Sequence, residues 1–192
     1  NIVVPDPSYP IHHYAPLIAG GNPIKIKCLN PEDFLSELVK VLTTIDVKVV
    51  LVSFPHNPTT ITVTQDFYEE LVFLARKHNF LIVNDFAYSD VYFDGPRPPS
   101  LLQSDKELTN SVELYSLTKG YSMAGWRVGF AIGNKEAIQA LTKLKSYIDY
   151  GTFQPIQIAS TVAINDLDEY PLEVSDIYRE RRILVTESLE SL

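Results

Sequence analysis

Along the chain, short apolar runs rich in β-branched residues alternate with longer segments whose apolar positions recur every three or four residues. That alternation predicts an α/β fold, a mostly parallel central sheet covered by helices on both faces. The strongest strand signal is residues 47–54, where Val49-Val50-Leu51-Val52 shows no polar alternation and so suits a strand buried on both faces. Further strands are expected at 24–28, 80–84, 112–115 and 128–132. Between them, Pro31–Leu42 carries Phe34, Leu35, Leu38, Val39 and Leu42 on one stripe behind an Asn30 N-cap, as an amphipathic helix should. Residues 64–77 open on Thr64, hold Asp66 in the first turn and cations in the last, and align Phe67, Leu71, Leu74 and Ala75. A third helix is expected at 135–147 from Ile138, Leu141 and Leu144, and a helical stretch at 181–192. Gly95-Pro96-Arg97-Pro98-Pro99 reads as a stiff loop within a domain.

Composition narrows the class. With 16 basic against 24 acidic side chains in 192 residues, the net charge of -8 argues against a nucleic-acid partner, which needs a basic face. The single cysteine, Cys28, excludes an internal disulfide framework and fits a reducing, cytoplasmic setting. The longest purely apolar run is four residues, so no membrane span is expected. The chain opens on Asn1 and stops inside a helix-like stretch, and is expected to be part of a longer protein.

In a sheet of this kind ligands collect beyond the carboxyl ends of strands, which directs attention to the polar residues there. Asn57 follows the 47–54 strand, Asp85 and Tyr88 follow 80–84, Ser116 and Lys119 follow 112–115, and Arg127 precedes 128–132. Taken singly each has an ordinary explanation: a turn residue, a loop cap, a solvated lysine. Together they offer a carboxylate, a phenol, an amide, a lysine, a hydroxyl and a guanidinium. That set suits pyridoxal 5'-phosphate, which needs a lysine for its aldehyde, a carboxylate for its ring nitrogen, donors for its ring oxygen, and a cation with hydroxyls for its phosphate. A metal is not expected, because the adjacent side chains of His12 and His13 diverge and no other ligand stands at the right spacing.

The ordered motifs Asn57-Pro58-Thr59, Asp85-Phe86-Ala87-Tyr88 and Ser116-Leu117-Thr118-Lys119, then Arg127 in Gly125-Trp126-Arg127-Val128-Gly129, resemble the fold-type I pyridoxal-phosphate aminotransferases of classes I and II. The resemblance implies that Lys119 condenses with the cofactor and that Asp85 pairs with the ring nitrogen. It further implies that Asn57 and Tyr88 hold the ring oxygen, Ser116 and Arg127 the phosphate, and that Tyr9, in Pro7-Ser8-Tyr9-Pro10, stacks on the ring. Lys119, Asp85 and Tyr88 are then the catalytic set. Within the family, the wording of Tyr9-Pro10-Ile11-His12, Ala87-Tyr88-Ser89-Asp90-Val91 and residues 145–153 is similar to bacterial alanine (glutamate-pyruvate) aminotransferases. This implies alanine plus 2-oxoglutarate to pyruvate plus glutamate, with enzymes acting on LL-diaminopimelate as the alternative.

Thr60 stands where the family commonly has glycine, and a Cβ disfavours positive φ, so a differently shaped turn is expected there. The family's N-terminal glycine-containing loop, cross-dimer tyrosine and C-terminal substrate-binding arginine have no counterpart here. Residues 1–165 are therefore expected to be a partial cofactor-binding large domain, and 166–192 a connecting helix toward a small C-terminal domain outside the chain. Arg179, Arg181 and Arg182 read as its solvated face. The resemblance implies a homodimer, with Tyr147, Tyr150 and Phe153 either approaching the neighbouring subunit's site or packing at a helix end. His12 is expected to line the pocket or a loop.

Two rivals remain. Ser116-Leu117-Thr118-Lys119 also fits the Ser-x-x-Lys of penicillin-binding proteins, although the partner motifs Ser-Asp-Asn and Lys-Thr-Gly are missing. The second is a non-catalytic, transaminase-like regulatory domain that keeps the fold or the cofactor without turnover.

Overall fold

The computed structural model describes residues 1–191. Leu192, the end of the helical stretch expected at 181–192, lies outside the described residues. Six strands, β1 (Ile2–Asp6), β2 (Pro23–Lys27), β3 (Val49–Val52), β4 (Leu81–Asp85), β5 (Ser111–Ser116) and β6 (Gly129–Gly133), form one sheet in the order β2-β1-β3-β4-β5-β6. The first five are parallel, and β6 runs antiparallel to β5, pairing Ser116 with Gly129 and Val112 with Gly133. Gly133 sits at φ 149°, and a Cβ there would lie 2.1 Å from the Ser111 carbonyl oxygen, so the closing end of this pair requires glycine.

The connecting helices are α1 (Pro10–Ile18), α2 (Pro31–Leu42) and α3 (Gln65–His78), followed by the single turn α4 (Leu117–Gly120). Three longer helices end the chain: α5 (Lys135–Ile148), α6 (Gln154–Asp166) and α7 (Tyr170–Glu190). α2 begins where expected, the Asn30 side chain accepting from the Asp33 amide at 2.7 Å. α3 begins after Thr64 without a side-chain cap and closes on Asn79 in the left-handed conformation. β1 and α1 carry no expected element, and α6 with the first half of α7 replaces a stretch where the apolar pattern shows no clear face.

The main core lies on one face of the sheet. There Val3, Val50, Val52 and Ile82 meet Phe34 and Leu38 of α2 and Phe67, Leu71 and Ala75 of α3, all buried. Right-handed crossovers account for this: the chain steps from β1 to β2 in one direction and from β2 through β3 to β4 in the other, so α1 is sent to the opposite face from α2 and α3. On α1's side Val4 is fully buried, while Val49, Leu51, Leu81 and Val83 are partly covered.

The C-terminal helices differ in character. α5 buries no residue, and Tyr147, Tyr150 and Phe153 are 73%, 90% and 69% exposed, which rules out packing at a helix end within this chain. α7 rests on α4. Arg181 and Arg182 are exposed, as expected of a solvated face, but Arg179 is half-buried and donates to the Phe93 carbonyl at 2.9 Å, while Arg182 reaches Asp94 at 2.5 Å with its guanidinium 4.8 Å over the Phe93 ring. Arg179 and Arg182 tie α7 to the loop after β4. Among the described residues no helix is long and apolar enough to cross a membrane.

Candidate active site

The strand order reverses between β1 and β3, and at such a point the loops leaving the carboxyl ends of neighbouring strands diverge and leave a crevice. A cleft of about 390 Å³ opens there. Its lining includes every residue singled out in the sequence: Tyr9 beyond β1, Asn57 beyond β3, Asp85 and Tyr88 at the end of β4, Ser116 and Lys119 at the end of β5, and Arg127 before β6. Because β6 is antiparallel, its beginning rather than its end lies at this edge, which is why Arg127 reaches the cleft from a preceding loop.

Lys119 stands on α4, a single turn set by its own N-cap: the Ser116 hydroxyl accepts from the Thr118 amide at 3.1 Å and donates to the Val128 carbonyl at 3.3 Å. The turn leaves Lys119 half-buried, with Nζ 5.4 Å from the centre of the Tyr88 ring. The Asn57 amide donates to the Tyr88 hydroxyl at 3.3 Å, linking the β3 and β4 ends. Arg127 is left-handed at φ 55° and exposed, and one of its nitrogens holds the Ala124 carbonyl at 3.1 Å. The other donors of its planar fork remain available for an anion.

His12 lines the cleft, one of the two places expected for it, and its bond to Asp85 is what the sequence did not show. It is 3% exposed, and its Nε2 lies 2.9 Å from Asp85 Oδ2 while its Nδ1 lies 2.7 Å from the Ser8 hydroxyl. One ring nitrogen thus bonds the carboxylate and the other bonds the Ser8 hydroxyl, which fixes the plane of the imidazole against Asp85. Asp85 also takes the Ala87 amide at 3.3 Å and stays 26% exposed toward the cleft. The sequence signal was available in the i, i+3 spacing of Tyr9 and His12, whose rings meet edge-on at 5.8 Å. Ser53 and Thr118 also line the cleft and carried no such signal.

Thr60 overturns the expectation of a differently shaped turn. It adopts φ 62°, and its amide donates to the His56 carbonyl at 2.8 Å, so the loop that presents Asn57 closes tightly despite a β-branched residue in the left-handed region. His56 itself is buried, its Nδ1 2.7 Å from the Thr59 hydroxyl. Burial, then the neighbouring His12, pulls its pKa down to about 4, so it is neutral.

The donor set matches pyridoxal phosphate in chemistry and position. A carboxylate oriented by a buried imidazole, a half-buried lysine, an amide-bonded phenol, and a hydroxyl near an exposed guanidinium converge on one crevice of suitable size. They fit. The model for aminotransferases of class I and II matches residues 1–192. The chain belongs to this family. Its members depend on pyridoxal phosphate. The chain is 38% identical over 191 residues to the glutamate-pyruvate aminotransferase AlaC of Escherichia coli, a match covering 98% of this chain and 46% of that protein. It is 37% identical over 193 residues to the LL-diaminopimelate aminotransferase of Aquifex aeolicus, covering 100% of this chain and 50% of that one. The structure of an aminotransferase from Staphylococcus aureus superposes with a TM-score of 0.90 at 36% identity, over 100% of this chain and 51% of the other. The chain thus spans about half the length of the curated relatives it matches.

Proposed function

We propose that the protein containing this chain is a transaminase that moves an amino group between an amino acid and a 2-oxo acid, with alanine and 2-oxoglutarate as the first pair to test. Likeness to AlaC supports the alanine reading, and likeness to the Aquifex enzyme supports LL-diaminopimelate as the second donor. One observation carries the proposal: side chains from the ends of four separate strands meet in one cleft, with Lys119 Nζ over the Tyr88 ring.

When bound, pyridoxal phosphate supplies an aromatic electron sink that weakens the bonds at the substrate α-carbon. Asp85, held by His12, would pair with the ring nitrogen, and a carboxylate there would favour that nitrogen's protonated form. Asn57 and Tyr88 would hold the ring oxygen, Ser116 and Arg127 the phosphate, and Tyr9 would pack on the ring. Lys119 Nζ would hold the cofactor covalently at rest and, when free, would be the base that takes a proton from the substrate α-carbon. Residues 1–165 serve as the large domain, with 166–192 leading out of it. We place the protein in the cytoplasm as a homodimer, in keeping with a single buried thiol and the exposed Tyr147, Tyr150 and Phe153.

The test is borohydride reduction of the cofactor-loaded full-length protein, with mass-spectrometric mapping of the pyridoxyl group, followed by an amino-donor screen. A label on Lys119, absent in Lys119→Ala together with turnover, is the expected result. An unlabelled but folded protein would leave a regulatory domain that shares only the fold.

A further inference from the structure

The loop after β4 continues past Tyr88 to Asp90, a carboxylate only 6% exposed and outside the cleft. Its two oxygens are taken by groups from separate parts of the chain. Oδ2 accepts the Tyr115 hydroxyl at 2.6 Å, and Oδ1 accepts a guanidinium nitrogen of Arg97, in the proline-rich loop. Its backbone carbonyl accepts the hydroxyl of Ser175, a buried residue of α7, at 2.7 Å. Against the same carboxylate lies Gly120: a Cβ there would stand 2.7 Å from Oδ2 and 2.9 Å from the Asp90 Cβ.

The contacts fall beside the proposed site residues in sequence. Tyr115 precedes Ser116, Gly120 follows Lys119, and the Val91 amide bonds back to the Tyr88 carbonyl at 3.1 Å. Asp90 therefore stands where three segments meet, bonded to Tyr115 next to the hydroxyl, packed against Gly120 next to the lysine, and two residues beyond the phenol. We propose that Asp90 is a positioning residue: it sets where α4 stands on β5, and through Gly120 it sets the height of Lys119 Nζ over the Tyr88 ring.

This inference rests on the transaminase reading of the cleft. The chemistry suits the task. A short α4 makes few backbone bonds of its own, so its placement must come from outside. A buried carboxylate with two directed donors specifies a position more narrowly than an apolar side chain, which could slide. Burial, then the bond to Asp90, keeps the Tyr115 hydroxyl protonated and donating at all ordinary pH.

The experiment uses the full-length protein loaded with pyridoxal phosphate and the variants Asp90→Asn and Tyr115→Phe. Four quantities are read: thermal midpoint without cofactor, kcat, KM, and the pH midpoint of the bound cofactor's visible absorption, which reports the proton at Lys119 Nζ. We expect Asp90→Asn to lower kcat by about 10- to 100-fold. KM should change little and the pH midpoint should move. Tyr115→Phe, which deletes one hydroxyl, should shift kcat and the pH midpoint the same way by less, and it carries the test if Asp90→Asn does not fold. Variants that melt earlier but keep the wild-type kcat and pH midpoint would reduce Asp90 to scaffolding and overturn the proposal. A wild-type protein without a borohydride label on Lys119 would instead overturn the transaminase reading, and this inference with it.

Discussion

Thr60 holds a conformation that its own Cβ opposes. A left-handed backbone costs a non-glycine residue about 1–2 kcal/mol, and the exposed Thr60 side chain recovers little by packing. Thr60→Gly should therefore stabilise the fold by about 1 kcal/mol after allowing for glycine's greater freedom in the unfolded chain. Urea denaturation would read this as a higher midpoint with an unchanged slope. His56 in the same loop makes a second case. Its folded pKa of about 4 lies below the unfolded 6.5, so between those values only the unfolded chain takes up the proton. The contribution of the neutral ring is complete above pH 6.5 and is lost as pH falls toward 4. Chemical denaturation across this range should show stability falling with acidification, and His56→Gln should flatten that part of the curve.

At the level of elements, the sheet is tied to its helices by buried acids as well as by apolar contact. Asp105 is fully buried and accepts from Arg76 at the end of α3, from Thr109 and Ser111, and from the Asn110 amide. Burial pushes its pKa up, but the bonds from Ser111, Asn110, Arg76 and Thr109 outweigh it and hold the pKa below the ordinary value. Asp105→Ala strands several donors at once and should cost about 3 kcal/mol, whereas Arg76→Ala, losing a half-exposed partner, should cost about 1 kcal/mol. Equilibrium unfolding of the two variants separates these values. Elements with strong local signals were legible without the structure: α2 has a cap and a stripe, α3 a stripe and a charge gradient, and β3 an unbroken aliphatic run. β1 was hidden because Pro5 interrupts a short run, and α1 because Pro16 and a polar His12-His13 pair mask its periodicity. The polar residues at strand ends could be named because strand ends are readable. The bond from His12 to Asp85 could not, since it joins positions 73 apart through a sheet order that no local pattern encodes.

Across the whole molecule, apolar cover is uneven. The α2 and α3 side is sealed, while Ile148, Phe153 and Leu184 on α5 to α7 and the segment between them are 69%, 69% and 66% exposed. Apolar surface on this scale is uncommon on a soluble monomer. The 192-residue chain on its own should therefore bind a hydrophobic dye while retaining native-like secondary structure, and the full-length protein should bind much less. Fluorescence titration against circular dichroism makes the comparison.

The reversal of strand order between β1 and β3 also has a temporal side. The cleft takes residues from Tyr9 to Arg127, and its crevice exists only when β3 has docked beside β1, whose paired residues lie 47 positions earlier, Ile2 against Val49 and Val3 against Val50. Contacts of such sequence separation form late, because loop closure precedes any gain from them. During synthesis at about 5–20 residues per second, the pocket cannot assemble for several seconds after its first contributor has emerged. On the proposed assignment of this cleft to the cofactor, capture would be confined to chains that have already committed to the native strand order, and the ligand would act as a latch on correctly sorted molecules.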